Sequence, residues 1–104
     1  MKKKPTRPFN KTSQQLLKDP NVAAEYLEEI LADGNMELFT AALKDVADAR
    51  LGGVSALSKK TDLNRQQLYK TLSKNGNPRL NTLSEVLHAI GLRVSVTPDV
   101  RPGR

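Results

Sequence analysis

Leu57-Ser58-Lys59-Lys60-Thr61-Asp62-Leu63-Asn64-Arg65-Gln66-Gln67-Leu68-Tyr69-Lys70-Thr71-Leu72 is the stretch that decides the fold. Its apolar spacing predicts two short amphipathic helices joined by a tight turn. Leu57, Leu63, Leu68 and Leu72 can form a compact core, and the small Ser58 stands where the two helices must approach closely. This is the pattern of a helix-turn-helix, a motif whose second helix enters a DNA major groove. A chain built around it reads as a DNA-binding module and not as an enzyme.

If Leu68 and Leu72 face inward, Arg65, Gln66, Tyr69 and Lys70 project outward, with Gln67 beside them. Arg can bond two acceptors of guanine and Gln two groups of adenine, while Tyr69 and Lys70 can hold phosphates. Asn64 suits the N-cap of this helix, and a contact with DNA near the helix start is compatible with that role. Ser55 falls at the start of the first helix of the motif, where a hydroxyl and free backbone N–H groups can grip a phosphate. Lys74, Asn75 and Asn77 are candidate backbone contacts from the loop behind the second helix. An isolated polar helix face usually means only solvation. Here the preceding helix, the short turn and the absence of any carboxylate among Arg65, Gln66, Gln67, Tyr69, Lys70 and Lys74 favour nucleic acid.

The 104 residues allow one domain with a modest core. Only 4% are aromatic, so Leu, Ala, Val and Ile must supply the packing, which suits helices better than a β-sandwich. No run approaches the roughly 18 apolar residues of a membrane span. The basic start lacks the apolar stretch of a secretory signal. Without cysteines and with a single histidine, His88, neither disulfides nor a zinc site of the usual Cys/His type can be assembled. A cytoplasmic protein with no metal and no cofactor is expected, and no catalytic constellation is visible.

The net charge of +6 is unevenly spread. Residues 1–18 hold six basic and no acidic side chains, whereas 19–50 hold two basic and eight acidic. Residues 51–78 return to five basic and one acidic. An acidic block thus separates a basic arm from the basic helix pair, so one surface can face DNA and another a cationic protein.

The expected organisation is a disordered basic arm over 1–15, a single helix-turn-helix domain over 16–97 with the motif at about 54–74, and a disordered tail over 98–104. Asp19-Pro20 predicts a helix start. Ala23, Tyr26, Leu27, Ile30 and Leu31 mark the inner face of that helix, and Glu25, Glu28, Glu29 and Asp33 its outer face. Gly34 ends it and Asn35 caps a second helix, which is expected to bury Met36, Phe39, Leu43, Val46 and Ala47 and to stop at Gly52-Gly53. A last helix is expected from Thr82, where Thr82 and Glu85 have capping-box spacing, to Gly91. The alternation in Arg93-Val94-Ser95-Val96-Thr97 predicts a short β-strand. A lone strand needs a partner for its backbone groups, which points to a second copy or another protein.

Several segments together resemble the addiction-module antidote proteins, HigA-like antitoxins of bacterial toxin–antitoxin pairs. They are Asp19-Pro20 with Ala23-Ala24-Glu25-Tyr26-Leu27, Leu31-Ala32-Asp33-Gly34-Asn35, Ala41-Ala42-Leu43-Lys44-Asp45-Val46-Ala47, Leu68-Tyr69-Lys70-Thr71-Leu72-Ser73, and Gly76-Asn77-Pro78-Arg79-Leu80 onward to Val94. The resemblance covers about residues 16–97. It implies an all-α, lambda-repressor-like fold of the Xre type: about five helices, an extra N-terminal helix and a short C-terminal β-strand. It also implies an antitoxin that represses its own operon and neutralises a RelE/HigB-like ribonuclease toxin. The chain departs from the family pattern at Asp62, where the turn usually has Gly, so local strain is expected there.

Double-stranded operator DNA with inverted half-sites, a toxin and a second copy of the chain are the expected partners. The acidic residues Glu25, Glu28, Glu29 and Asp33 are the candidate toxin contacts, since a ribonuclease needs a basic surface to hold RNA. Two alternatives stand beside this reading: a stand-alone transcriptional regulator without a toxin, and a protein-interaction module whose DNA binding has decayed.

Overall fold

The computed structural model describes residues 11–73 and 77–99. Among these residues there are six helices and no strand: α1 (Lys11–Leu16), α2 (Pro20–Asp33), α3 (Met36–Leu51), α4 (Val54–Lys60), α5 (Arg65–Thr71) and α6 (Leu80–Ala89). The architecture is all-α, as the apolar periodicity predicts.

Local chemistry sets most of the boundaries. The Asp19 carboxylate accepts the Asn21 N–H at 2.8 Å, and Pro20 takes the first helical position, where its missing donor costs nothing. Asn35 Oδ1 accepts the Leu38 N–H at 3.0 Å to start α3. Between them Gly34 turns the chain with φ +79°, and its N–H closes on the Leu31 carbonyl.

α3 is the centre of the molecule. It packs against α1, α2 and α4, and α4 in turn packs against α5 and α6. Phe39, Ala42, Leu43, Val46 and Ala47 of α3 are buried, the two alanines fully, so neighbouring helices come close to its backbone. Leu27, Leu57, Leu68, Leu72, Val86 and Ile90 complete the core from the surrounding helices. Burying each such side chain stabilises the fold by about 1.5–3 kcal/mol before chain entropy is charged against it.

Two side chains on α3 tie distant segments together. Arg50, in its last turn, donates from Nε to the Ile90 carbonyl at 2.6 Å and from Nη1 to the Lys18 carbonyl, gathering the ends of α1 and α6. Thr40 is fully buried, and its hydroxyl lies 3.0 Å from the Glu37 carbonyl and 3.3 Å from that of Ser73, just past α5. The Tyr26 hydroxyl donates to Asp45 at 3.3 Å, joining α2 to α3.

The structure departs from the sequence expectations in several places. All of α1 but Leu16 falls in the stretch expected to be a disordered arm; Leu17, directly after the helix, is buried and anchors its end by tertiary packing. Residues 1–10 of that arm, and 100–104 of the tail, lie outside the described residues. α6 begins at Leu80 with Arg79 at the cap position and no side-chain cap, instead of at Thr82. The expected β-strand over 93–97 is not formed: alternation fixes which side chains share a face, but no strand among the described residues offers it a ladder. Met36 and Leu31 are exposed, because each sits in a terminal turn of its helix beyond the reach of the core.

Candidate nucleic-acid interface

The α4–α5 pair is held by its turn. Thr61 Oγ1 donates to the Leu57 carbonyl at 3.1 Å and accepts the Leu63 N–H at 3.2 Å. From α4, Ser58 Oγ donates to the Leu63 carbonyl at 3.0 Å, so the small residue at the helix crossing is also a fastener across the turn. Asn64 then caps α5, its Oδ1 accepting the Gln67 N–H at 2.7 Å. With the cap fixed and Leu68 and Leu72 seated in the core, the rotation of α5 about its axis is fixed as well. Leu63, expected in the same core, is only partly buried against it.

Arg65, Gln66, Tyr69 and Lys70 all stand exposed, and positions i, i+1, i+4 and i+5 share one side of a helix. Tyr69 is 50% exposed, a large aromatic surface left in water. Gln67 is exposed too, its backbone engaged by the cap. Ser55 is exposed in the first turn of α4, whose cap residue Gly53 supplies no side-chain acceptor. Asn77 is exposed; Lys74 and Asn75 lie outside the described residues. Neither α4 nor α5 contains a carboxylate, and Asp62 in the turn is the one acidic residue between Val54 and Ser73. The face is polar, cationic and rigidly mounted.

The acidic candidates gather elsewhere. Glu25, Glu28, Glu29 and Asp33 are all exposed along α2, a helix with no Lys or Arg. Among the described residues no group of three or more His, Cys, Asp or Glu side chains could hold a metal ion. No described helix is long and apolar enough to cross a membrane. His88 is exposed on α6.

Sequence reasoning missed Thr40, which holds the segment just past α5 from behind, and Arg50, which ties the ends of α1 and α6 to α3. Thr40 reads as an ordinary helical threonine and Arg50 as a helix C-terminal charge; their partners lie 33 and 40 residues further along the chain.

A small all-helical protein presenting one cationic helix pair and one separate acidic helix is the class these features define. The chain belongs to the family described as "Probable addiction module antidote protein", whose family model matches residues 6–98. It is 41% identical over 71 residues to a Haemophilus influenzae protein described only as uncharacterized, the match covering 68% of this chain and 71% of that one. No solved structure matches it. Membership of an antidote family carries an antitoxin role and, with it, a toxin partner.

Proposed function

We propose that the chain is a HigA-like antitoxin that binds operator DNA as an autorepressor and neutralises a RelE/HigB-like ribonuclease toxin. It works by binding alone, without catalysis. In this reading α4 and α5 are a helix-turn-helix of the lambda-repressor type, and α5 enters the major groove. Arg65 and Gln66 read base edges near its N-terminus, as a guanidinium and a carboxamide can each make paired hydrogen bonds to a purine. Tyr69, Lys70 and Ser55 contact phosphates, with Lys74, Asn75 and Asn77 reaching the backbone from the following loop.

The observation that carries the reading is the acid-free face of α5. Its exposed side chains are all suited to DNA, and its buried Leu68 and Leu72 leave the helix no other way to turn. A single seven-residue helix reaches only a few base pairs. Operator affinity therefore calls for two copies related by a two-fold axis, reading inverted half-sites about one helical turn apart.

The test is a set of gel shifts on the chain's own promoter. Arg65→Ala and Gln66→Ala should each weaken specific binding by about 1–3 kcal/mol while leaving binding to random duplex nearly unchanged. Lys70→Ala should weaken binding to both and lower the salt slope by about one. Unchanged promoter binding in all three variants would remove α5 from the account. Binding to promoter DNA without any toxin to neutralise would instead favour a stand-alone regulator.

A further inference from the structure

Among the described residues, Thr40 is the one polar side chain in the buried core. A helical threonine commonly returns its hydroxyl to a carbonyl one turn back, and that of Thr40 lies 3.0 Å from the Glu37 carbonyl. The same hydroxyl is 3.3 Å from the Ser73 carbonyl, 33 residues further on. A helix serves its interior carbonyls through its own ladder, so the first contact is dispensable. Carbonyls at a helix end lose their ladder partners, and there a buried donor counts. Thr40 therefore acts chiefly as a tie from α3 to the end of α5.

The tie continues to the outward face. Ser73 is exposed and grips the Lys70 carbonyl twice, from Oγ at 2.7 Å and from its N–H at 3.3 Å. Consecutive hydrogen bonds thus run from the core through Ser73 to the last turn of α5, which also carries Tyr69. Different groups set the other end of α5: the Thr61 and Ser58 bonds across the turn and the Asn64 cap, beside Arg65 and Gln66. α5 itself packs on α4, and Thr40 adds a hold from α3. A seven-residue helix is roughly 10 Å long, so a tilt of about 10° pivoting at the cap moves its far end by roughly 2 Å. A hydrogen bond made from that far end is broken by such a shift, whereas one made near the pivot is kept.

We infer that Thr40 is a positioning residue for DNA binding: through Ser73 it holds the far end of α5 so that Tyr69 and Lys70 meet the phosphates. The inference rests on the DNA-binding reading of α5 and adds to it a division of labour along that helix. The turn and the Asn64 cap set the end that reads bases. The buried hydroxyl sets the end that grips the backbone, so its loss weakens binding to every sequence and leaves the choice among sequences intact.

The test measures affinities of the full chain for its own promoter and for a random duplex of equal length, at a temperature where circular dichroism shows each variant folded. Thr40→Val should weaken binding to both duplexes by about three- to tenfold, the worth of one hydrogen bond, with their ratio unchanged. Thr40→Ser, which keeps the hydroxyl, should restore most of the loss. The decisive measurement is a pair of double-mutant cycles. In a Tyr69→Phe/Lys70→Ala background the effect of Thr40→Val should largely vanish, and in an Arg65→Ala background it should persist in full. A merely structural threonine would lower affinity equally in both. Should Thr40→Val not fold, Ser73→Ala cuts the same path at an exposed position and should show the same pattern with a smaller loss, about two- to threefold. Equal effects in the two backgrounds, a fallen promoter-to-random ratio, no rescue by serine, or undiminished binding by Thr40→Val or Ser73→Ala would each overturn the role of Thr40. The DNA reading would still stand if Arg65→Ala loses promoter preference. Absence of duplex binding by the wild type would overturn both.

Discussion

Gly91→Ala should destabilise the protein far more than Gly34→Ala, although both glycines end helices with a positive φ. Gly34 has φ +79° and open space around it: a Cβ there would meet nothing within 4 Å. Its replacement costs only the backbone penalty of a left-handed alanine, roughly 1–2 kcal/mol. Gly91 has φ +89° and the same penalty, but its Cβ would lie 2.8 Å from Nη2 of Arg50. An arginine tip usually swings aside at little cost. This one is tethered, with Nε on the Ile90 carbonyl and Nη1 on the Lys18 carbonyl. Moving it sacrifices at least part of a hydrogen bond from a charged donor, about 1.5–3 kcal/mol, with water replacing some of the loss because Arg50 is only half-buried. The total for Gly91→Ala is therefore about 2–4 kcal/mol.

Urea unfolding followed by circular dichroism measures both variants directly. The mechanism makes a second demand: in Gly91→Ala/Arg50→Ala the clash has no partner, so the double variant should cost clearly less than the sum of the two singles. Equal destabilisation by Gly91→Ala and Gly34→Ala, together with additivity in the cycle, would refute the view that Arg50 is a fixed clamp on the end of α6.

Three further perturbations probe the frame of the interface. Asn64→Ala removes the acceptor for the Gln67 N–H and should cost about 1 kcal/mol in thermal or urea unfolding, with Asn64→Ser restoring most of it. Thr40→Val keeps the shape but withdraws the buried hydroxyl from the Glu37 and Ser73 carbonyls; a loss of about 1–2 kcal/mol is expected, with faster hydrogen exchange at the end of α5. Leu68→Ala opens a cavity beneath the outward face and should cost about 2–5 kcal/mol, so promoter binding by this variant should fall with temperature before that of the wild type.

What the sequence made legible is the chemistry that acts over three or four residues. Asp19 before Pro20, Asn35 after Gly34 and Asn64 before Arg65 each predict a helix start that the structure has, because a cap satisfies backbone donors within one turn. The spacing of Leu68 and Leu72 likewise predicts which side of α5 is buried. Long-range bonds were not legible. Nothing periodic links Arg50 to Ile90 or Thr40 to Ser73, and α1 owes its place to packing on α3 more than to its own sequence. The expected strand over 93–97 failed for a related reason: alternation describes a face, whereas a strand also needs a neighbour, and no local pattern can supply one. The start of α6 shows a competing local signal. Thr82 and Glu85 have the capping-box spacing, yet the helix gains another turn-forming pair, Leu80 and Asn81, and leaves the box inside it.

The opposed charges of this small molecule can act independently because screening is short. Its principal extents are 42, 30 and 25 Å, whereas the Debye length at physiological ionic strength is about 8 Å. Carboxylates on α2 therefore do little to offset the lysines and Arg65 of the α4–α5 pair unless the two surfaces lie within a few ångströms. The net charge of +6 understates how cationic the one is and hides that the other is acidic. A polyanion approaching the α2 side meets repulsion and is turned toward α5, while a cationic protein is steered the opposite way. Raising the salt should then weaken both associations separately. A charge reversal on α2, such as Glu25→Lys/Glu29→Lys, should slow association with a cationic partner and add non-specific DNA affinity without altering the discrimination made by Arg65 and Gln66. Measuring promoter and random-duplex affinities of that variant side by side checks the argument: a drop in their ratio through weaker promoter binding, with random-duplex binding unchanged, would mean that α2 is coupled to base readout after all.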